Sequence, residues 1–170
     1  LVLMHIRGRP ADMQQRPFAR SIWRSIEAGL ARSIRRALAA GVRRSQLILD
    51  PGLGFGKTRA QNFEILAHLE KLRRFRLPVL VGSSRKSFVR AIVKGEGLQI
   101  PPSRKQNVKS QPAGTLPGPL LQFGDAAAVA AAILHGAHIV RVHDVEQIIP
   151  AVRIADAIVL AAKRGGMQRG

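Results

Sequence analysis

The chain has 170 residues, no cysteine and a formal net charge of +18, which leaves room for one domain with a real core and excludes a disulfide framework and thiolate chemistry. No apolar run reaches the ~18 residues of a membrane-spanning helix, so no membrane partner is expected. The charge would admit a nucleic-acid or anionic-surface partner, but the basic residues are spread along the chain and aromatics are only 4% of it, so no base-stacking platform is expected and the charge reads as an arginine-rich solvated surface.

The chain opens in an apolar run, 1–6, that reads as a buried strand, with no signal-peptide pattern before it, as a fragment of a longer protein would. Arg7-Gly8-Arg9-Pro10 ends the run, and His5 reads as a structural hydrogen-bonding residue. A helix is expected over about 17–40, where Ile22, Ile26, Leu30, Ile34 and Leu38 recur every four residues among arginines, with Gly41 as its stop signal.

A second apolar run, 47–49, ends in Asp50 and breaks at once into Pro51-Gly52-Leu53-Gly54-Phe55-Gly56-Lys57. Ligands of parallel α/β proteins sit just beyond the carboxyl ends of strands. Asp50 is therefore the candidate functional acid, and Phe55 offers a flat apolar face beside it. Gly56-Lys57-Thr58 imitates the end of a phosphate-binding P-loop, but Pro51 stands where that motif needs glycine.

A helix is expected over about 60–74, then a third strand over 77–82 that runs into Ser83-Ser84-Arg85-Lys86-Ser87, and a short helix over 88–93. Residues 94–122 carry five prolines, several basic residues and little periodicity, and read as a long loop. An alanine-rich helix over 125–135 with Gly136 as its cap, a fourth strand over 137–145 and a final helix over about 145–163 complete the pattern, with 164–170 frayed. On that strand Arg141 and His143, two apart, would share a face.

Strand and helix thus alternate four times, the signature of parallel strands with covering helices. Three of the strands end in polar groups: Asp50; Ser84, Arg85 and Lys86; Arg141 and His143. A carboxylate can accept two parallel hydrogen bonds from the N–H edge of an aminopyrimidinone, Lys86 is a point cation for a ring atom, and Arg141 with His143 suits a phosphate or diphosphate. The expected ligand is a flat heterocycle carrying a phosphate tail. No nucleophile–base pair and no metal-binding constellation stands out, so chemistry by positioning and by stabilising a departing anion is expected.

Four stretches carry a resemblance. They are Leu3-Met4-His5-Ile6-Arg7-Gly8 with Pro10 and Met13-Gln14; the run from Leu49 to Lys57; Val81-Gly82-Ser83-Ser84-Arg85-Lys86-Ser87; and Gly136-Ala137-His138-Ile139-Val140-Arg141-Val142-His143-Asp144-Val145. In this order they resemble the C-terminal half of dihydropteroate synthase, over residues 1–170 except about 94–122. The resemblance implies the last four strand–helix units of a TIM (β/α)8 barrel. It implies condensation of 4-aminobenzoate with (7,8-dihydropterin-6-yl)methyl diphosphate, giving dihydropteroate and diphosphate in folate synthesis. It further implies a cytoplasmic, homodimeric sulfonamide target with no specific nucleic-acid partner.

By the same resemblance Asp50, Lys86, Met4, Phe55 and Gly82 would hold the pterin, Ser84 and Arg85 the 4-aminobenzoate, and Arg141 and His143 the diphosphate. The family's Mg2+ would take its ligand from the N-terminal half, which also carries two flexible loops and a second pterin-binding Asp and Asn, so residues 1–170 alone are expected to be inactive. Phe123-Gly124-Asp125-Ala126-Ala127 stands where the family has an Arg-Leu-x-Gly-Ser region. Two alternatives are a pterin-dependent methyltransferase domain, which shares the barrel and the acid but not the Ser84–Ser87 run, and a non-enzymatic basic fragment that binds polyanions, whose affinity would collapse with salt.

Overall fold

The computed structural model describes residues 1–8, 21–95 and 118–167. Strands β1 (Val2–Met4), β2 (Ile48–Asp50), β3 (Leu80–Val81) and β4 (Ile139–Val140) are interleaved with helices α1 (Ile22–Ala39), α2 (Arg59–Ala67), α3 (Ser87–Val93), α4 (Gly118–Leu134) and α5 (Val145–Met167). All pairings are parallel. Val2, Leu3 and Met4 face Ile48, Leu49 and Asp50; Leu80 and Val81 face Ile139 and Val140; a bridge between Leu49 and Val79 links the two pairs. The strands therefore follow one another in chain order, and every carboxyl end points the same way. The described chain is an α/β fold of parallel strands and covering helices, as its alternating pattern leads one to expect.

The core forms where the strands meet the helices. Leu47, Leu49, Val79 and Val81 pack with Ile26, Leu30, Ile65, Leu69, Leu72 and Phe88, all buried. A smaller cluster, Val129, Ile133, Ile148 and Ala155, joins α4 to α5. On α1 the four-residue ladder holds for Ile22, Ile26, Leu30 and Ile34, but Leu38 is exposed and Ala37 takes the buried place. At 3.6 residues per turn a spacing of four drifts ~40° per step, so the fifth rung has rotated ~160° from the first.

Several boundaries differ from the sequence-based expectation. Helix α1 begins at Ile22, after the non-helical Ser21; residues 17–20 lie outside the described residues. The helix expected over 60–74 divides at His68: α2 ends, and Leu69–Phe75 continues as a 3-10 helix. Its buried Leu66, Leu69 and Leu72 are spaced by three, the period of a 3-10 rather than an α-helix.

Helix α4 starts at Gly118, so 118–122 belong to it rather than to the long loop; 96–117 lie outside the described residues. Pro119 falls in the first turn, where its missing N–H has no intrahelical partner to lose. Strand β4 stops at Val140, so Arg141 and His143 follow the strand rather than lie on it, and strand alternation does not set their direction. Helix α5 runs on to Met167, beyond the expected end at 163; 168–170 lie outside the described residues, as do Pro10, Met13 and Gln14.

Candidate functional site

The segments that leave β1, β2, β3 and β4 converge around Asp50. Its backbone is fixed by the sheet: His5 N–H donates to the Asp50 carbonyl at 2.9 Å, one residue beyond the Met4–Asp50 register pair. Its side chain is only 4% exposed, and Oδ1 accepts the Gly52 N–H at 2.7 Å. Burial raises the carboxyl's pKa; the Gly52 N–H and the charges of Arg141, Lys57 and Lys86 oppose that rise. A buried acid held against three cations by one local hydrogen bond retains Oδ2 for a ligand.

The loop after Asp50 needs its glycines. Gly52 and Gly56 have φ of +70° and +68°, and a Cβ on either would run into a backbone carbonyl oxygen, of His5 and Arg7 respectively. Buried Lys57 ties this loop from beneath, its Nζ donating to the carbonyls of Gly52 at 2.7 Å, Phe55 at 3.0 Å and His5 at 3.2 Å. Asn62 on α2 adds a further tie, its Oδ1 accepting the Gly54 N–H at 2.7 Å. Thr58 caps that helix, and its Oγ1 accepts the Gln61 N–H. The loop is thus a fixed platform that presents Phe55.

Lys86 arrives from the end of β3 and lies along this platform. Its ammonium sits 4.2 Å from the centroid of the Phe55 ring, a cation–π contact on a half-buried aromatic. Burial, then the nearby Arg141, lowers its pKa, and Asp50 raises it. Met4 approaches from the β1 side: a Cβ on Gly52 would come within 3.3 Å of Met4 Cγ. Gly82 makes room for Arg141, whose Nη2 would lie 3.3 Å from a Cβ placed there. Asp50, Lys86, Phe55, Met4, Gly82 and Arg141 form one continuous set of neighbours.

Ser84, Arg85 and His143 form a second group beside the first. Residues 83–86 make a turn in which Lys86 N–H donates to the Ser83 carbonyl at 3.3 Å and Arg85 takes the left-handed conformation, φ +58°. Asp125 on α4, 4% exposed, accepts the Arg85 N–H on both oxygens, at 3.0 and 2.9 Å, and the Ser84 hydroxyl at 2.8 Å. His143 Nδ1 lies 3.1 Å from Ser84 Oγ, and Arg85 Nη2 donates to Asp144 at 2.8 Å. His143 therefore neighbours Ser84 while Arg141 neighbours Gly82 and Asp50, a division that simple strand alternation does not anticipate.

The sequence reading gives no site role to Lys57, Asn62, Asp125 or Asp144. The clearest available sign was Asp125, an acid followed by an unbroken apolar stretch, 126–134. His5 behaves as the structural residue it reads as: it is 7% exposed, its Nε2 is 3.3 Å from Ser25 Oγ, and burial, with Lys57 next, lowers its pKa to about 4. Among the described residues no group of three or more His, Cys, Asp or Glu could hold a metal ion. The apolar groove of about 430 Å3 between α2, α3 and α4 is lined by none of the residues assigned a binding role.

Comparison with known proteins gives three concordant findings. The family described as pterin binding enzyme matches residues 1–143. The dihydropteroate synthase of Escherichia coli strain K12 is 35% identical over 159 residues, 94% of this chain and 49% of that protein; that of Synechocystis is 37% identical over 158 residues, 93% and 48%. The crystal structure of the Yersinia pestis dihydropteroate synthase with a sulfonamide drug complex aligns with a TM-score of 0.76 at 37% identity, covering 94% of this chain and 51% of that one. The Xanthomonas albilineans enzyme with 4-aminobenzoic acid aligns with a TM-score of 0.70 at 32% identity, covering 92% and 48%. The chain spans about half the length of the curated relatives it matches.

Proposed function

The chain belongs to the pterin-binding enzyme family, and from that premise we propose that residues 1–170 are the C-terminal half of a dihydropteroate synthase TIM barrel, four of its eight strand–helix units. The observation that carries this reading is Asp50: a buried carboxylate at a strand's end, ringed by Arg141, Lys57 and Lys86 beside the Phe55 ring. That is the setting a flat, hydrogen-bonding heterocycle with an anionic tail requires.

In this reading Asp50 Oδ2 accepts the N–H edge of the pterin, Lys86 contacts its ring, and Met4, Phe55 and Gly82 shape the slot. Ser84 and the Arg85 turn border the 4-aminobenzoate, and Arg141 and His143 hold the diphosphate. The amine nitrogen of 4-aminobenzoate forms a bond to the pterin methylene carbon. The carbon–oxygen bond to diphosphate breaks, its electron pair leaves with diphosphate, and the amine gives up one proton. These side chains act by alignment and by stabilising the departing anion.

Among the described residues no three His, Cys, Asp or Glu side chains cluster as metal ligands. The family's ion would take its ligands elsewhere, and no step here runs through it. A homodimeric, cytoplasmic, sulfonamide-sensitive enzyme follows from the same reading. Of these, sulfonamide sensitivity is supported by the match to a synthase solved with a sulfonamide complex. Neither the methyltransferase nor the polyanion-binding alternative is favoured, because the matched relatives are dihydropteroate synthases.

The test is Asp50→Asn in the full-length protein. Removing the charge-assisted acceptor weakens pterin binding by about 1.5–3 kcal/mol, roughly ten- to a hundredfold, read by calorimetry with the fold checked by circular dichroism. Unchanged pterin affinity in a folded variant would remove Asp50 from the site and this reading with it.

A further inference from the structure

A chain of hydrogen bonds runs from a buried acid through a hydroxyl to an imidazole: Asp125, Ser84, His143. Its polarity follows from counting protons. Asp125 accepts at both oxygens, from the Arg85 N–H and from the Ser84 hydroxyl at 2.8 Å. A serine hydroxyl has a single hydrogen, and here it is directed to the carboxylate. At the 3.1 Å contact between Ser84 Oγ and His143 Nδ1, the serine oxygen can therefore only accept, and the imidazole nitrogen must donate.

We propose that Asp125 is a positioning residue that, through Ser84, holds His143 as the Nδ1–H tautomer and leaves Nε2 as the ring atom offered to a ligand. The inference extends the synthase reading of this site and takes from it the identity of the ligand, a diphosphate. Proton uptake at Nε2 then produces a ring with two fixed donors, Nδ1–H on Ser84 and Nε2–H toward the anion. The same carboxylate holds the left-handed Arg85 turn through its N–H. One buried acid thereby sets both the 4-aminobenzoate border and the direction of the diphosphate ligand, although 41 and 59 residues separate Ser84 from its two partners. Asp144 takes the Arg85 guanidinium at 2.8 Å and leaves Asp125 free of it.

His138 provides an internal reference. Its Nδ1 accepts the Val79 backbone N–H at 3.2 Å, which requires the opposite tautomer, protonated at Nε2. The experiment is a nitrogen-15 correlation spectrum of the histidine rings in the full-length protein, at a pH where the rings are neutral. In the unsubstituted protein His143 carries its proton on Nδ1 and His138 on Nε2.

In Asp125→Ala the Ser84 hydroxyl is released from the acid and free to donate to Nδ1. His143 then moves toward the Nε2–H form while His138 stays as it was. If that variant does not fold, Ser84→Ala removes the acceptor instead and abolishes the Nδ1–H preference. An unchanged His143 tautomer in either folded variant overturns the relay. A tautomer shift in a protein that makes no dihydropteroate would sustain the relay and overturn the synthase reading, so the two failures are distinguishable.

Discussion

Lys57 shows how one side chain can hold a binding loop without touching a ligand. It is 4% exposed, yet its ammonium meets three carbonyls, those of Gly52, Phe55 and His5, so each N–H has an acceptor. Burial, partly countered by Asp50, lowers its pKa to about 8. Between that value and the ordinary 10.5 the unfolded chain binds more protons than the folded one, so stability rises with pH across this window. The gain is fully present above 10.5 and is lost as pH falls through about 8. It amounts to roughly 3 kcal/mol. Lys57→Met is expected to destabilise by about 2–4 kcal/mol at pH 7, because three carbonyls lose their donor, and to remove this rise from urea midpoints compared at pH 8 and 10.5. A variant that keeps the same pH slope would show that the ammonium is not the titrating group. From sequence alone Lys57 resembled the end of a phosphate loop, and its spacing excluded that. That it turns inward depends on the left-handed glycines curling the loop over it, which a linear motif does not express.

At the scale of elements, the readable features were those set by short-range periodicity and by strand ends. The α1 ladder from Ile22 to Ile34 follows its periodicity, and the Asp50 turn and the polar groups after β3 stand where the pattern placed them, because parallel strands in chain order bring their carboxyl ends together. What escaped depended on partners far along the chain. The role of Asp125 rests on Ser84 and Arg85, 41 and 40 residues away along the chain. Gly124, beside Asp125, sets how closely α4 can approach α3. A Cβ there would collide with Val93 Cγ2 and come within 3.1 Å of Val89 Cγ1, so α3 and α4 approach each other only because this residue has no side chain. Gly124→Ala gains about 1 kcal/mol in helix propensity but forces two β-branched neighbours apart at about 1–3 kcal/mol, and a net loss of stability is expected. The neighbouring Asp125 would move with the helix, lengthening its bonds to Ser84 and Arg85. Thermal unfolding and 4-aminobenzoate KM together check this: an unchanged KM in a destabilised variant would show that the Ser84–Arg85 turn does not depend on how closely α4 docks.

At the scale of the whole molecule, two opposing quantities decide how residues 1–170 behave alone. Among the described residues, β1 pairs only with β2 and β4 only with β3, so the sheet has two open edges. Exposed apolar side chains stand on both edge strands, Leu1, Val2 and Ile6 on or beside β1 and Ile139 on β4, and Ile154, Ile158 and Leu160 are exposed on α5. Open edges and apolar faces of this kind drive association, and in the proposed barrel the remaining strand–helix units would cover them. The net charge of +18 opposes association by repulsion, but only over the Debye length, about 10 Å at 0.1 M salt and about 3 Å at 1 M. Residues 1–170 expressed alone should therefore bind an apolar dye, and should sediment as larger species as salt is raised. Polyanion binding would respond in the opposite sense, weakening with salt, so the two behaviours separate cleanly. Joined to the rest of a barrel, the same residues should lose both the dye binding and the salt-driven association, because the edges are then paired. A salt-independent monomer that binds no dye would mean that these edges need no cover, and the half-barrel assignment would fall with them.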